Sequence, residues 1–182
     1  MSKESKVLIF TPTFNEKTNI EIWLKSVLDI HNDFDLLVVD DSSTDGTLGV
    51  LNEFARMHPH LTIHQRPTKS GVGSAHAWAI EYARKTGYGY IVAMDADLSH
   101  DPLDIPRLLD AAQEADYVVA TRSSKKGGRN ELPGLRKLWS LGANLLCRYT
   151  IPSGLSEYTT SFRCYNRNAM EALVSNPPKN EG

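Results

Sequence analysis

Short apolar runs alternate along the chain with longer segments in which apolar residues recur every three or four positions. Residues 6–13 contain four consecutive apolar side chains (VLIF, 7–10), as expected for a strand buried on both faces of a parallel sheet. In residues 16–30 the spacing changes, and Ile20, Trp23 and Val27 fall on one side of a predicted helix. The pair then repeats, which predicts strands at 35–40, 61–65, 90–94 and 117–121 and helices at 45–57, 73–85 and 105–114. This alternation predicts an α/β fold with an open, mostly parallel sheet flanked by helices.

The remainder of the chain begins with a polar, Gly-rich and basic segment at 123–133 (SSKKGGRNELP), which predicts a mobile loop. Beyond it the pattern predicts a helix at 135–149, a strand at 159–165 and a short helix at 168–174. A length of 182 residues fits one domain spanning residues 1–182.

Composition narrows the functional classes. A hydrophobic fraction of 41% with 23% charged residues is typical of a soluble globular protein. The net charge of −2 offers no positive field for a nucleic-acid backbone, so we expect no nucleic-acid partner. Cys147 and Cys164 are too few for a disulfide framework and fit a reducing cytoplasm. No apolar stretch approaches the ~20 residues of a membrane span, so we expect any membrane contact to be peripheral.

Polar clusters follow three of the predicted strands. They occupy residues 11–16 (TPTFNE), 40–47 (DDSSTDGT) and 95–97 (DAD). In open α/β sheets ligands bind outside the carboxyl ends of the strands, so these clusters should meet at one edge. Thr44 and Asp45 are explained as well by helix capping as by function. Capping does not explain the adjacent carboxylates Asp40 and Asp41, because an unpaired buried carboxylate is costly.

Asp95 and Asp97 have two interpretations. Acidic residues at a strand end often cap the next helix, whereas two hard oxygen ligands can hold Mg²⁺ or Mn²⁺ together with a substrate diphosphate. His100, which lies close by in the sequence, also has two interpretations: a metal ligand or base, or a solvated or helix-capping histidine. The backbone at 71–73 (GVG) could face an anion at a helix start or form a plain left-handed turn. A G-x-G-x-x-G after the first strand and a G-x-x-x-x-G-K-[ST] motif are both absent, which disfavours nicotinamide binding and NTPase function.

Taken in order and spacing, the segments 11–16, 38–47, 71–75 and 94–102 resemble those of inverting family-two glycosyltransferases, which have the Rossmann-like GT-A fold. The dolichyl- or polyprenyl-phosphate mannosyltransferase branch is the most similar. The segments 121–122, 142–144 and 161–163 also look like acceptor-side segments of that branch, so the resemblance covers roughly residues 6–175. It implies a nucleotide-sugar and metal half at 1–122 and an acceptor half at 123–182. We expect the acceptor half to be incomplete at its C-terminus, because relatives continue into lipid-facing segments.

The resemblance also implies roles for individual donor-side residues. Matching the positions that hold the base and ribose of the nucleotide sugar are Pro12, Phe14, Glu16, Asp40 and Asp41. Phe14 stands where the family commonly has Tyr. Asp95 and Asp97 match the metal carboxylates and bind the donor through the ion, and Ser99 stands where some relatives place a Gln as third ligand.

On the acceptor side, Arg122, Arg136 and Arg163 match the arginines that receive the acceptor phosphate. Asp97, Arg122 and Arg136 are the expected catalytic residues. A polyprenyl monophosphate is already ionised near neutral pH, so its oxygen can attack the anomeric carbon without a protein base once it is positioned. Arginine suits this acceptor because its planar fork binds phosphate oxygens bidentately.

The sequence therefore predicts a metal-dependent, inverting glycosyltransferase that moves a hexose to a polyprenyl or dolichyl phosphate. GDP-mannose is the favoured donor and Mg²⁺ or Mn²⁺ the expected cofactor. We expect the protein in the cytoplasm or at the cytoplasmic face of a membrane. Two alternatives stay open at this point: transfer to a saccharide acceptor, which would need a carboxylate base, and a non-catalytic fragment that binds the donor.

Overall fold

The computed structural model describes residues 6–30, 34–120 and 160–175. The first part of the described chain alternates strands and helices: β1 (Val7–Thr13), α1 (Lys17–Leu28), β2 (Phe34–Asp40), α2 (Thr47–Met57), β3 (Leu61–Gln65), α3 (Val72–Thr86) and β4 (Tyr90–Ala93). After β4 come a 3₁₀ turn (Pro102–Asp104), α4 (Ile105–Ala111), β5 (Tyr117–Val119), β6 (Arg163–Asn166) and α5 (Arg167–Ser175). The predicted helix at 135–149 lies outside the described residues.

The sheet has six strands in the order β3-β2-β1-β4-β6-β5. Strands β1 to β4 are parallel, with Val7 of β1 in register with Phe34 of β2 and Tyr90 of β4. Strand β6 lies antiparallel between β4 and β5. The predicted α/β class with an open, mostly parallel sheet is confirmed, and the carboxyl ends of β1, β2 and β4 meet at one edge.

The core lies on both faces of this sheet, which explains the uninterrupted apolar run in β1. Ile9 packs with Trp23 of α1 and Leu51 of α2 on one face. Phe10 packs with Ala79 of α3 on the opposite face, together with residues of α5. Because successive strand side chains point to opposite faces, a strand covered on both sides must be apolar at every position. The strand β1, which leads to the site, is therefore packed against helices on both faces.

Element ends differ from the predicted ones by a few residues. Helix α2 begins at Thr47 rather than at 45, because Gly46 has a φ of +98° and the Asp45 carboxylate accepts from the Thr47 N–H. Helix α4 ends at Ala111 rather than at 114. The N–H groups of Gln113 and Glu114 donate to the carbonyl groups three residues before them, which forms tighter turns than an α-helix. Strand β6 begins at Arg163 rather than at 159.

Candidate functional site

A cleft of about 330 Å³ opens at the carboxyl ends of β1, β2 and β4. Lining it are Pro12, Thr13, Phe14, Glu16, Asp41, Lys69, Gly71, Val72, Ala75, Asp95, Ala96 and Asp97. Six residues that the sequence assigns to the donor or its metal are among them, so the three polar clusters do converge. Their roles in binding stay predictions.

Asp40 ends β2 and is not part of the cleft lining, although its neighbours Thr13 and Asp41 are. The residue is fully buried, and its carboxylate accepts from the Thr13 hydroxyl at 3.1 Å and from the Ser43 N–H at 3.0 Å. The Ser43 hydroxyl donates to the same carboxylate at 2.5 Å. These bonds satisfy the buried charge and join the end of β1 to the loop after β2. Asp40 thus supports the wall of the cleft, and its contact with a donor stays a prediction.

Asp41 forms a buried ion pair with Arg66, which follows β3. The Arg66 Nη1 donates to the Asp41 Oδ1 at 2.9 Å, and both side chains are less than a tenth exposed. The backbone N–H groups of Ser70 and Gly71 donate to the same carboxylate at 2.9 and 2.8 Å. Burial acts to raise the pKa of Asp41, but the hydrogen bonds from Ser70, Arg66 and Gly71 outweigh it and hold the pKa below its usual value. Asp41 therefore stays ionised and anchors the loop at 66–71.

The loops after β1 and β2 are tied to each other by hydrogen bonds. The Asn15 N–H donates to the Ser43 hydroxyl at 2.9 Å, and the Asn15 amide oxygen accepts from the Thr44 N–H at 2.9 Å. The Glu16 N–H donates to the Thr47 hydroxyl at 3.0 Å. Residues with left-handed backbone lie in these loops and after β4: Asn15, Ser42 and Leu98, with φ of 57°, 71° and 60°. Such conformations are unfavourable for residues other than glycine and tend to cluster at functional sites.

Asp45 links the first turns of two helices. Its carboxylate accepts from the Lys17 N–H at the start of α1, at 3.0 Å, and from the Thr47 N–H at the start of α2, at 2.9 Å. The Thr47 hydroxyl donates to it as well. Asp45 thus accepts from the first N–H group of each helix, although the N-cap positions themselves are Glu16 and Gly46.

We expect Asp45→Ala to lower the free energy of unfolding by about 1–2 kcal/mol, because two helix starts lose an acceptor. Urea unfolding followed by circular dichroism measures this. Asp29→Ala, at the C-terminal end of α1, removes the same charge without removing an acceptor for the first N–H groups of a helix and serves as control. An equal change for both variants would show that these hydrogen bonds to Asp45 do not stabilise the helix starts.

Asp95 and Asp97 follow β4 and reach the cleft from its other wall. Asp97 is exposed, and its Oδ1 accepts from the Ser99 N–H at 3.0 Å. Asp95 is half-buried and accepts from the Ser161 hydroxyl, just before β6. Within residues 6–30, 34–120 and 160–175, no three His, Cys, Asp or Glu side chains cluster closely enough to hold a metal ion. Two carboxylates in an open cleft suit a hard divalent ion whose remaining ligands come from substrate and water.

Of the three predicted acceptor residues, the structure describes Arg163. Arg122 and Arg136 lie outside the described residues. Arg163 begins β6, where its Nε donates to the Thr160 carbonyl at 2.6 Å. Burial lowers the pKa of His76 to about 4, and the positive charge of Arg163 acts in the same direction. Arg163 thus lies near the start of α3 rather than on the cleft lining, and its contact with an acceptor phosphate stays a prediction.

Two basic residues of the site, Arg66 and Lys69, do not figure in the sequence prediction. Both belong to the segment RPTKSG (66–71), which follows β3 at the same sheet edge as the other clusters. Gly71, at a φ of 86°, adopts backbone that other residues rarely adopt, and its N–H donates to Asp41. A basic pair in the loop directly after a predicted strand was the available signal, since the rule that drew attention to the carboxylates applies to it equally.

Comparison with known proteins places these features in a family. The family model described as Glycosyl transferase family 2 matches residues 8–174. An undecaprenyl-phosphate mannosyltransferase of Micrococcus luteus is 34% identical over 168 residues, which are 92% of this chain and 69% of that protein. A polyprenol monophosphomannose synthase of Mycolicibacterium smegmatis is 32% identical over 170 residues, covering 92% of this chain and 64% of the relative. The chain thus spans about two thirds of the length of these relatives.

Solved structures show the same fold. The mannosyltransferase PcManGT of Pyrobaculum calidifontis, solved in complex with GDP-Man and Mn²⁺, matches with a TM-score of 0.56 at 22% identity, over 92% of this chain and 46% of that one. The mannosyl-3-phosphoglycerate synthase of Rubrobacter xylanophilus matches with a TM-score of 0.64 at 21% identity, over 90% of this chain and 53% of that one. At these identities the likeness concerns the fold, and it confirms the predicted GT-A architecture. In the part of the chain that the structure describes, no helix is long and apolar enough to cross a bilayer.

Proposed function

Because the chain belongs to glycosyl transferase family 2, we propose that it transfers mannose from GDP-mannose to a polyprenyl or dolichyl phosphate. In this proposal the transfer inverts the configuration of the anomeric carbon and uses Mg²⁺ or Mn²⁺ as cofactor. The observation that carries the proposal is one cleft that joins Phe14 and Asp41 to Asp95 and Asp97. The curated relatives, named as polyprenyl-phosphate mannosyltransferases, support the acceptor class. The complex of PcManGT with GDP-Man and Mn²⁺ supports the donor and the metal.

The charges of the cleft favour a metal-dependent donor. Arg66 neutralises Asp41, so the carboxylates of Glu16, Asp95 and Asp97 dominate the lining. An anionic nucleoside diphosphate would be repelled by three carboxylates unless a divalent cation lay between them. Asp95 and Asp97 supply hard oxygen ligands of the kind that Mg²⁺ and Mn²⁺ prefer. When bound, such an ion neutralises the charge that develops on the departing diphosphate.

The residues of the chain then act by binding and orientation. Pro12 and Phe14 offer a surface against which a base can pack, and Asp41 holds the loop that closes that side of the cleft. Asp95 is itself oriented by the Ser161 hydroxyl, which comes from the segment leading into β6. An ionised phosphate acceptor attacks without a general base, so positioning and charge stabilisation are sufficient for the reaction.

The acceptor determines where such an enzyme works. A polyprenyl tail remains in the bilayer, so transfer to its phosphate would bring the protein to the membrane surface. We therefore also propose that the protein contacts a membrane peripherally and works at its cytoplasmic face.

Incubating the chain with radiolabelled GDP-mannose, Mn²⁺ and a short-chain polyprenyl phosphate tests the transfer. We expect label in the organic phase, none with EDTA, and none with the corresponding polyprenol, which lacks the phosphate. NMR of the product should show the inverted anomeric configuration. Transfer of label to a saccharide acceptor but not to the polyprenyl phosphate would contradict the proposed acceptor, and label on neither would contradict catalysis by this chain.

A further inference from the structure

The cleft contains a positive charge that the proposed function does not yet use. Among the described residues on its lining, Lys69 alone is cationic, and Glu16, Asp95 and Asp97 line the same cleft. Its side chain is exposed and comes from the loop after β3. A cation on the wall of an otherwise acidic cleft is placed to bind an anionic group that enters there.

Lys69 rests on the residue that offers the base its packing surface. The Lys69 Nζ lies 3.5 Å from the centre of the Phe14 ring, in a cation–π contact that bridges the loops after β1 and β3. Such contacts are weak at exposed sites, so an entering ligand can displace the ammonium. A base that packs on this face of Phe14 must displace it, because the two cannot occupy the same face.

The backbone that carries Lys69 is held in place on both sides. Arg66 donates to Asp41 and to the Gly71 carbonyl, at 2.9 and 3.2 Å. The N–H groups of Ser70 and Gly71 donate to Asp41 as well. With the loop fixed at these points, moving the ammonium requires only rotation of the flexible lysine side chain. The backbone of Lys69 therefore stays beside the cleft while its ammonium group moves.

We propose that Lys69 is a donor-binding residue that leaves the Phe14 ring when the base arrives and pairs with the diphosphate of the nucleotide sugar. This assignment rests on the proposed function. It adds to that function a residue that binds the diphosphate directly, beside the two carboxylates that would hold the metal. The compact ammonium of lysine is suited to phosphate oxygens as a point charge. Lys69 thereby couples packing of the base to binding of the diphosphate.

The test uses the number of phosphates as its variable. Calorimetric titration of guanosine, GMP and GDP in the presence of Mn²⁺ compares the wild type with Lys69→Met, which keeps the aliphatic length and removes the charge. We expect affinity for GDP to fall about tenfold or more, affinity for GMP to fall less, and that for guanosine to stay the same or rise, since a charge-assisted hydrogen bond is lost only where phosphate is present. Lys69→Arg should retain most of the GDP affinity.

Lys85→Met, on the exposed face of α3 where Lys85 pairs with Glu81 at 2.9 Å, is the matched control and should bind all three ligands as the wild type does. An equal loss for all three ligands in Lys69→Met, or no loss, would overturn the assignment while leaving metal-dependent binding of GDP by the wild type intact. Failure of the wild type to bind GDP would instead remove the proposed function and this assignment with it.

Discussion

We expect Asp97→Ala to abolish metal-dependent binding of the donor diphosphate. Asp97 is the exposed carboxylate of the cleft, and removing it leaves Asp95 as the sole carboxylate after β4 among the described residues of the lining. Loss of groups that merely orient metal ligands typically lowers metal affinity 10–100-fold, so loss of a ligand should lower affinity for GDP with Mn²⁺ by at least about 100-fold. Calorimetric titration with Mn²⁺ and with EDTA measures the change. In the variant the two conditions should give the same weak binding.

Asp110→Ala is the control for this prediction, because Asp110 is an exposed carboxylate at the end of α4, away from the cleft lining. It should bind GDP as the wild type does. If Asp97→Ala kept the wild-type difference between Mn²⁺ and EDTA, the assignment of the metal site to this pair of carboxylates would be wrong.

Arg66→Met has the largest expected effect on stability. The change leaves Asp41 as a buried carboxylate without its counter-charge, and breaking a buried ion pair from one side typically lowers the free energy of unfolding by 3–5 kcal/mol. The Ser70 and Gly71 N–H groups still donate to Asp41, so we expect a loss near the lower end, about 3 kcal/mol. Urea unfolding measures it. Arg56→Met, on the exposed surface of α2, should change the stability by less than about 0.5 kcal/mol.

A second variant separates the lost charge from lost packing. Arg66→Met combined with Asp41→Asn removes both charges of the pair and should recover part of the stability that Arg66→Met loses. The pH dependence provides an independent readout. Because the folded-state pKa of Asp41 lies below its ordinary value, its contribution to stability is present above the unfolded pKa and is lost as pH falls through the folded value. Without Arg66 that loss should occur at higher pH. If the double variant were no more stable than Arg66→Met, the unpaired charge would not be the cause.

The sequence predicts the parallel half of the fold well, because its signal is local. Strands buried on both faces, such as β1, appear as apolar runs, and the helices between them show a period of 3.6 residues. The position of β6 is a different matter. It lies antiparallel between β4 and β5, so β5 pairs with a strand that follows it at a distance in the chain. Pairing between such distant segments leaves no periodic signal in either one.

The candidate site shows the same division. Asp41, Asp95 and Asp97 could be placed at one edge because each directly follows a predicted strand, and the structure brings them to one cleft. The partner of Asp41 could not be predicted in this way. Arg66 lies 25 positions further along the chain, and only the folded loop after β3 shows that the two charges meet. For the same reason Asp40 could not be recognised in advance as a buried support.

Calorimetric titration of GDP and UDP into the 182-residue chain, with Mn²⁺ and then with EDTA, tests the central claim most directly. The claim is that the cleft between Phe14 and Asp97 is a metal-dependent nucleotide-sugar site. It predicts binding of GDP in preference to UDP with Mn²⁺ and loss of that binding with EDTA. Equal binding with and without the metal, or no binding by a sample shown to be folded, would contradict it.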